Sequence, residues 1–166
     1  MSLYTIACPC LFGLESVLSG EIKRLGGQDV EVSDGRVVFK GGEKMIAKAN
    51  IFLRTAERVM IVAGSFRAES FSDLFDGVSS LRFEDYIGSR DAFPVKGWSI
   101  NSKLHSIPDC QSIIKKAVAK RLGGVYHQQW LAETGAVHQI QFTILRDIAT
   151  IMLDTTGTGL HKRGYR

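Results

Sequence analysis

The order of hydrophobic periodicities over the first 67 residues constrains the fold of this chain more than any other feature. Continuous or alternating apolar runs are typical of strands, and apolar residues recurring every three to four positions are typical of helices. Six segments follow one another: a strand at 3–8, a helix at 11–26, strands at 28–33 and 36–40, a helix at 43–55 and a strand at 59–66. Asp34-Gly35 between the central strands predicts a tight hairpin turn.

This β-α-β-β-α-β order is that of the ferredoxin-like split unit, in which two helices cover one face of an antiparallel sheet. The unit is complete within residues 1–67, which we take as a first domain. The fold does not by itself predict an activity, because many unrelated proteins use it.

The residues that follow predict a second, α/β domain at 68–155, so the fold class is α+β. Its elements are expected as two short helices around Gly77, a strand that Lys103 ends, a helix from Ser106 to Gly123-Gly124, and two strands around 140–144 and 148–153. Ser106 and Pro108 are typical of a capped helix start. Arg146-Asp147 predicts a tight connection between the last two strands.

Composition excludes several classes of protein. Apolar residues make up 45% of the chain, which is enough for a buried core and argues against disorder. We expect no membrane helix, because no run of 18 apolar residues occurs, and no signal peptide, because no basic segment precedes the first strand. There is no Walker A, G-x-G-x-x-G, G-x-S-x-G or His-Glu-x-x-His sequence, so we predict no catalytic, cofactor-binding or metal-binding residue.

The net charge of +4 is unevenly distributed along the chain. Between Lys96 and Arg121 there are six basic residues and one acidic residue, Asp109. Such clustering is the pattern expected for contact with a phosphate backbone, although a solvated surface can show it too. The helix start at Ser106 offers free backbone N–H groups for a phosphate. The residues that we predict to bind in this segment are Lys96, Lys103, His105, Ser106, Lys115, Lys116 and Lys120.

The three cysteines, Cys8, Cys10 and Cys110, are too few and too irregularly spaced for a disulfide framework. The four histidines show no metal-ligand spacing relative to them. We interpret the cysteines as reduced structural thiols and expect a cytoplasmic protein.

Several short motifs, taken together and in order, resemble the front half of bacterial THUMP-containing RNA methyltransferases. The motifs are GLE (13–15), GG (26–27), LRTAERV (53–59), SKLHS (102–106), CQSIIKKA (110–117), ETG (133–135) and DTTGTGLHKRGYR (154–166). The family methylates the exocyclic amine of guanine in large-subunit ribosomal RNA. The resemblance covers essentially the whole chain, and its most specific part is the last motif.

The resemblance implies that 68–155 is an RNA-binding THUMP domain and that 156–166 is a linker into a methyltransferase domain that is missing here. Lys162 and Arg163 in this linker are then further candidates for RNA contact. It also implies that S-adenosylmethionine binds in the missing domain. The catalytic motif of the family needs adjacent prolines, whereas Pro9, Pro94 and Pro108 stand apart, so no catalytic residue can be assigned.

We therefore expect the RNA-recognition module of a ribosomal RNA methyltransferase that ends before its catalytic domain. A second hypothesis is a ferredoxin-like regulatory or dimerisation module that binds a small molecule. A free-standing enzyme is the third, and the absence of nucleotide, metal and nucleophile motifs argues against it. The sequence does not indicate the oligomeric state.

Overall fold

The computed structural model describes residues 3–33 and 35–155. Its helices and strands occur in the order β1 (Tyr4–Pro9), α1 (Glu15–Leu25), β2 (Gln28–Ser33), β3 (Arg36–Gly41), α2 (Glu43–Phe52), β4 (Met60–Arg67), α3 (Phe71–Ser79), β5 (Val95–Ile100), α4 (Ile107–Tyr126), β6 (Ile140–Leu145) and β7 (Ile148–Asp154). A short 3-10 helix, Phe83–Asp85, follows α3. The chain forms two compact units, one from the residues up to Val62 with Asp154 and Thr155, the other from Ala63–Leu153.

The first unit has the predicted β-α-β-β-α-β order. Its strands lie in the order β2-β3-β1-β4, and β1 pairs in antiparallel fashion with both β3 and β4. The helices bury Leu18, Ile22, Met45 and Ala49 against the sheet residues Ile6, Cys8, Val37 and Phe39. The sequence prediction is therefore confirmed at the level of element order and fold class.

The helix α1 begins at Glu15 and not at Leu11, because a turn occupies the intervening residues. Gly13 has a φ of 95°, a backbone conformation that favours glycine and interrupts a helix. The Glu15 carboxylate accepts hydrogen bonds from the backbone N–H of Gly13 at 2.7 Å and of Gly35 at 2.9 Å. These bonds, led by that from Gly35, lower the pKa of Glu15.

In the first unit, two of the segments that carry the resemblance contact each other. Arg58 of LRTAERV forms an ion pair with Asp154 of the last motif. The backbone N–H and the hydroxyl of Thr155 both donate to the carbonyl of Val59, at 3.0 and 2.6 Å. Glu21 of α1 accepts from the backbone N–H groups of Arg54 and Thr55. LRTAERV therefore serves as a structural connection, and residues 156–166 of the last motif lie outside the described residues.

The second unit contains a sheet of strand order β4-β7-β6-β5. β5 and β6 are parallel and are linked through α4, whereas β6 and β7 form an antiparallel hairpin. The hairpin turn at Arg146-Asp147 has φ values of 51° and 66°, as the predicted tight connection requires. α3 and α4 pack on one face of this sheet, against Ile140, Phe142 and Ile144 of β6 and Ala149, Ile151 and Leu153 of β7.

The sequence predicts that helices are interrupted or end at two glycine positions, and both predictions are wrong. Gly77 lies inside α3, where the Phe66 ring leaves no room for a side chain, since a Cβ atom there would come within 2.3 Å of it. Gly123-Gly124 lies inside α4, which continues to Tyr126. The Tyr126 hydroxyl donates to the carbonyl of Ile87 at 2.6 Å, and this hydrogen bond holds the last helical turn in place.

The start of α4 and the end of β5 also differ from expectation. β5 ends at Ile100, since Asn101 has a φ of 51°, so Lys103 lies in the loop and does not end a strand. The Ser106 side chain makes no capping hydrogen bond at the start of α4. Ser70, by contrast, caps α3 by accepting from the backbone N–H of Asp73 at 3.1 Å.

The described part of the chain carries no helix with the combination of length and apolarity needed to cross a membrane. Cys8, Cys10 and Cys110 are buried free thiols, and burial raises the pKa of each.

Candidate nucleic-acid interface

The helix α4 carries most of the residues predicted to contact nucleic acid. Its buried side is formed by Cys110, Ile114, Ala117, Val118 and Leu122, which pack into the core of the second unit. Residues three or four positions apart share a face of a helix. Ser112, Lys116 and Lys120 therefore share the face of α4 that points away from the core, and all three are exposed.

Lys116 and Lys120 form what we call the lysine stripe. Neither makes a salt bridge with a described residue. The ammonium nitrogen of Lys120 lies 5.3 Å from the centre of the Phe75 ring. Like charges four residues apart destabilise a helix by about 0.2–0.5 kcal/mol. The lysine stripe therefore offers two exposed positive charges without an acidic partner among the described residues.

Lys115, the neighbour of Lys116, is half-buried and forms part of the scaffold. Its ammonium donates to the Glu133 carboxylate at 2.5 Å and to the carbonyl of Phe93 at 3.1 Å. It also lies 3.8 Å from the centre of the Phe93 ring. Its hydrogen bond holds the pKa of Glu133 below the ordinary value. Glu133 also accepts from the Phe93 backbone N–H at 3.3 Å. Glu133 of the ETG motif therefore connects α4 to the segment before β5.

Lys103 is exposed, but its charge is balanced within the second unit. Its ammonium donates to Glu69 at 2.6 Å, and Arg67 donates to the same carboxylate at 3.1 Å. These two cations, Lys103 first, lower the pKa of Glu69 to about 2, and Glu69 in turn raises the pKa of Lys103. The backbone N–H of Lys103 also donates to Asp147 at 2.8 Å. A phosphate at this position would compete with two carboxylates.

The remaining predicted residues lie at separate places. His105 is exposed and Ser106 is half-buried at the start of α4. Lys96 is exposed on β5, where its cross-strand partner is Gln141. The structure therefore places Lys116 and Lys120 side by side, and Lys96 on a strand. Lys162 and Arg163 lie outside the described residues.

Sequence reasoning missed Trp98. Its side chain is 45% exposed, and it lies two residues after Lys96 on the same face of β5. The one signal in the sequence was the two-residue alternation of a strand, which puts Lys96 on the same face as Trp98 and Ile100. The structure adds that Val95, on the opposite face, packs against the core.

The place of Arg121 in the sequence suggests that its side chain extends to solvent at the end of α4, but the structure shows otherwise. Arg121 lies more than a turn before that end and donates to both oxygens of Glu84, at 3.0 and 2.6 Å. Arg121 therefore belongs to the scaffold. Among the described residues, no group of three His, Cys, Asp or Glu side chains could hold a metal ion.

Comparisons with known proteins match both units. The RlmL ferredoxin-like domain matches residues 5–60, and the THUMP domain matches residues 68–154. "Putative RNA methyltransferase YpsC" of Bacillus subtilis (strain 168) is 40% identical in an alignment of 168 residues that covers 100% of this chain. "Ribosomal RNA large subunit methyltransferase K/L" of Marinomonas sp. (strain MWYL1) is 26% identical over 99% of this chain.

Two solved structures superpose closely on the whole chain. The "predicted N6-adenine-specific DNA methylase" of Listeria monocytogenes str. 4b F2365 is 44% identical, with a TM-score of 0.95. SMU.472, "a putative methyltransferase complexed with SAH", is 42% identical, with a TM-score of 0.94. Each comparison covers 100% of this chain. The chain spans 43% and 23% of the two relatives and 44% and 45% of the two structures.

Proposed function

Since this chain belongs to the THUMP domain family, we propose that it is the RNA-recognition part of an RNA methyltransferase. The observation that carries the proposal is the lysine stripe on α4, two adjacent exposed ammonium groups without an acidic partner in the described chain. Lysine neutralises phosphate as a point charge, so such a surface binds a folded RNA through its backbone and shape.

The residues proposed to contact RNA differ in whether their charge is already paired with an acidic group of the protein. Lys116 and Lys120 contact phosphates directly, and Lys96 and His105 add contacts at positions that are also exposed. Lys103 reaches a phosphate only by leaving Glu69. Ser106, Lys162 and Arg163 stay candidates on the grounds of sequence. Lys115 supports the surface from beneath through Glu133 and has no direct contact with RNA.

The relatives favour a ribosomal RNA substrate and S-adenosylmethionine as methyl donor. One is named a large-subunit ribosomal RNA methyltransferase, and one structure holds SAH. We assign methyl transfer to the exocyclic amine of guanine to a domain other than the two units of this chain.

The test is a salt titration of RNA binding with a charge-reversed double variant, Lys116→Glu/Lys120→Glu. We expect the affinity to fall by about tenfold or more at low salt and its salt dependence to become shallower, since each phosphate that the protein neutralises releases about one counterion from the RNA. The probe is a fluorescently labelled fragment of large-subunit ribosomal RNA, and a DNA of the same sequence distinguishes RNA from DNA recognition.

The chain offers a matched control in Lys44→Glu/Lys48→Glu. These lysines are also exposed and four residues apart, on α2 of the first unit, so the change in net charge is identical. We expect the control to retain most of the affinity. Equal reductions in affinity in both double variants would contradict the assignment to α4. Absence of RNA binding by the unchanged protein, together with a salt-independent dimer, would favour the regulatory or dimerisation module instead.

A further inference from the structure

The outer face of the β5–β6 pair in the second unit is a second surface whose chemistry suits RNA. Its residues are Lys96, Trp98 and Ile100 of β5 and Gln141, Thr143 and Leu145 of β6. The opposite face of the same strands carries Val95, Ile140, Phe142 and Ile144, which pack under the helices. We refer to the outer face as the Trp98 platform.

Trp98 lies in the middle of β5, the last strand in the sheet order of the second unit. It lies within a regular strand that pairs along its whole length with β6, and Thr143 is its cross-strand partner. Gly97 permits this close pairing, because a Cβ atom there would lie 2.1 Å from the carbonyl oxygen of Phe142. A large ring that is 45% exposed on a paired strand can bind a flat ligand without the cost of ordering a loop.

The charge and polarity around Trp98 favour a nucleotide. Lys96 lies about 7 Å along the strand from Trp98, near enough for its ammonium to reach the phosphate next to a base on the indole ring. Gln141 and Thr143 add an amide and a hydroxyl beside the ring. The six platform residues include one lysine and no carboxylate, so the face attracts a polyanion.

The aliphatic residues of this face favour a protein partner less strongly than Trp98 and Lys96 favour a nucleotide. Ile100, Leu145 and Ile148 are cross-strand neighbours and are 40–50% exposed. Three half-exposed aliphatic side chains remain within the few hundred Å² of apolar surface that monomeric proteins carry. The ring and the lysine, by contrast, match the two parts of a nucleotide, its base and its phosphate.

We propose that Trp98 stacks on an unpaired base of the RNA and that Lys96 binds the adjacent phosphate. This inference rests on the proposed function and adds a substrate feature to it, a single-stranded segment next to the structured part that the lysine stripe holds. Base–aromatic stacking tolerates any base, so the platform reads single-strandedness and not sequence.

The test uses the full chain and two probes, a fluorescently labelled single-stranded oligouridylate and the same strand in a blunt duplex. Trp98→Thr is expected to weaken binding of the single strand by about 5- to 150-fold, which is the range for removal of one stacked base. Trp98→Phe should retain part of the affinity, and binding of the duplex should not change. Lys96→Gln should reduce the salt slope on the single strand by about 0.7, the value for one phosphate.

The second tryptophan of the chain supplies both a control and a spectroscopic readout. Trp130 is more exposed than Trp98, so Trp130→Phe should leave affinity unchanged while making Trp98 the sole tryptophan. In that variant, bound oligouridylate should quench the tryptophan fluorescence. Thermal unfolding of each variant shows whether it is folded.

Two results would overturn the proposal without affecting the proposed function. One is Trp98→Thr binding the single strand as well as the unchanged protein does, while Lys116→Glu/Lys120→Glu still binds ribosomal RNA more weakly than the unchanged protein. The other is a change in sedimentation mass on Trp98→Thr with no change in RNA affinity, which would make this face a protein interface. Failure of the proposed function differs from both, since neither probe nor ribosomal RNA would then bind.

Discussion

The fold treats two pairs of cations on α4 differently. Lys115 and Arg121 form ion pairs with Glu133 and Glu84, which belong to other segments of the second unit. Lys116 and Lys120, each next to one of them in the sequence, are exposed and make no salt bridge with a described residue. Net charge along a sequence therefore overstates the charge that is available to a partner. Only the unpaired cations are a reasonable footprint for a phosphate backbone, and three comparisons of variants test that division.

The largest effect is expected from Arg121→Met, which removes both hydrogen bonds to Glu84. The Glu84 carboxylate is then left at a site where its side chain is only 14% exposed. We expect the Tm to fall by about 4 °C, on the scale for a chain of this length, with RNA affinity unchanged. Arg82→Met is the matched control, because its pair with Asp85 is far more exposed and should contribute little. A selective decrease in RNA binding by Arg121→Met would contradict the division.

A smaller effect on stability is expected from Lys115→Met, compared with Lys116→Met on the adjacent residue. The first removes the ion pair with Glu133 but keeps an apolar stem over Phe93, so the Tm should fall by about 2 °C. The second should leave the Tm unchanged and weaken RNA binding. Thermal unfolding and a binding titration on both variants should thus give opposite patterns. The same pattern in both variants would show that the two lysines play one role.

The smallest effect is a pH dependence of the Tm that we expect from the ion pair of Arg121 with Glu84 and not from the unpaired lysines. The hydrogen bond from Arg121 holds the pKa of Glu84 at about 2, below the ordinary 4.5. A carboxyl group whose pKa is lowered by folding stabilises the native state above its unfolded pKa and loses that contribution as the pH falls. The Tm difference between the unchanged protein and Glu84→Gln should therefore be full at pH 7 and shrink between about pH 4.5 and 2. A difference that is constant over this range would show that the pair does not contribute through charge.

Much of the fold could be predicted because its signals are local. The apolar spacing of α1 and α2 and the hairpin at Arg146-Asp147 depend on residues within a few positions of one another. The errors occurred where a distant residue decides the outcome. Inside α3, Gly77 must lack a side chain because the Phe66 ring fills the space above it, and α4 continues past Gly123-Gly124 to Tyr126, whose hydroxyl donates to the carbonyl of Ile87.

The candidate site shows the same division. Helical spacing predicted that Lys115, Lys116 and Lys120 all face away from the core of the second unit, which is right for Lys116 and Lys120 and wrong for Lys115, which is half-buried against Glu133. It could not predict the partners of Lys115 and Arg121, because Glu133 and Glu84 are 18 and 37 residues away in sequence. The exposure of Trp98 was equally hidden, since it depends on which face of β5 the helices cover.

The sequence by itself determined the order of elements, the buried face of α4 and the concentration of basic residues in that segment. These properties follow from periodicity and composition, which act over one or two helical turns. The tertiary structure alone decided which cations are neutralised and which aromatic rings are left exposed. Hydrogen bonds and ion pairs act over only about 4 Å, so their partners exist only once loops and helices from distant parts of the chain have been brought together.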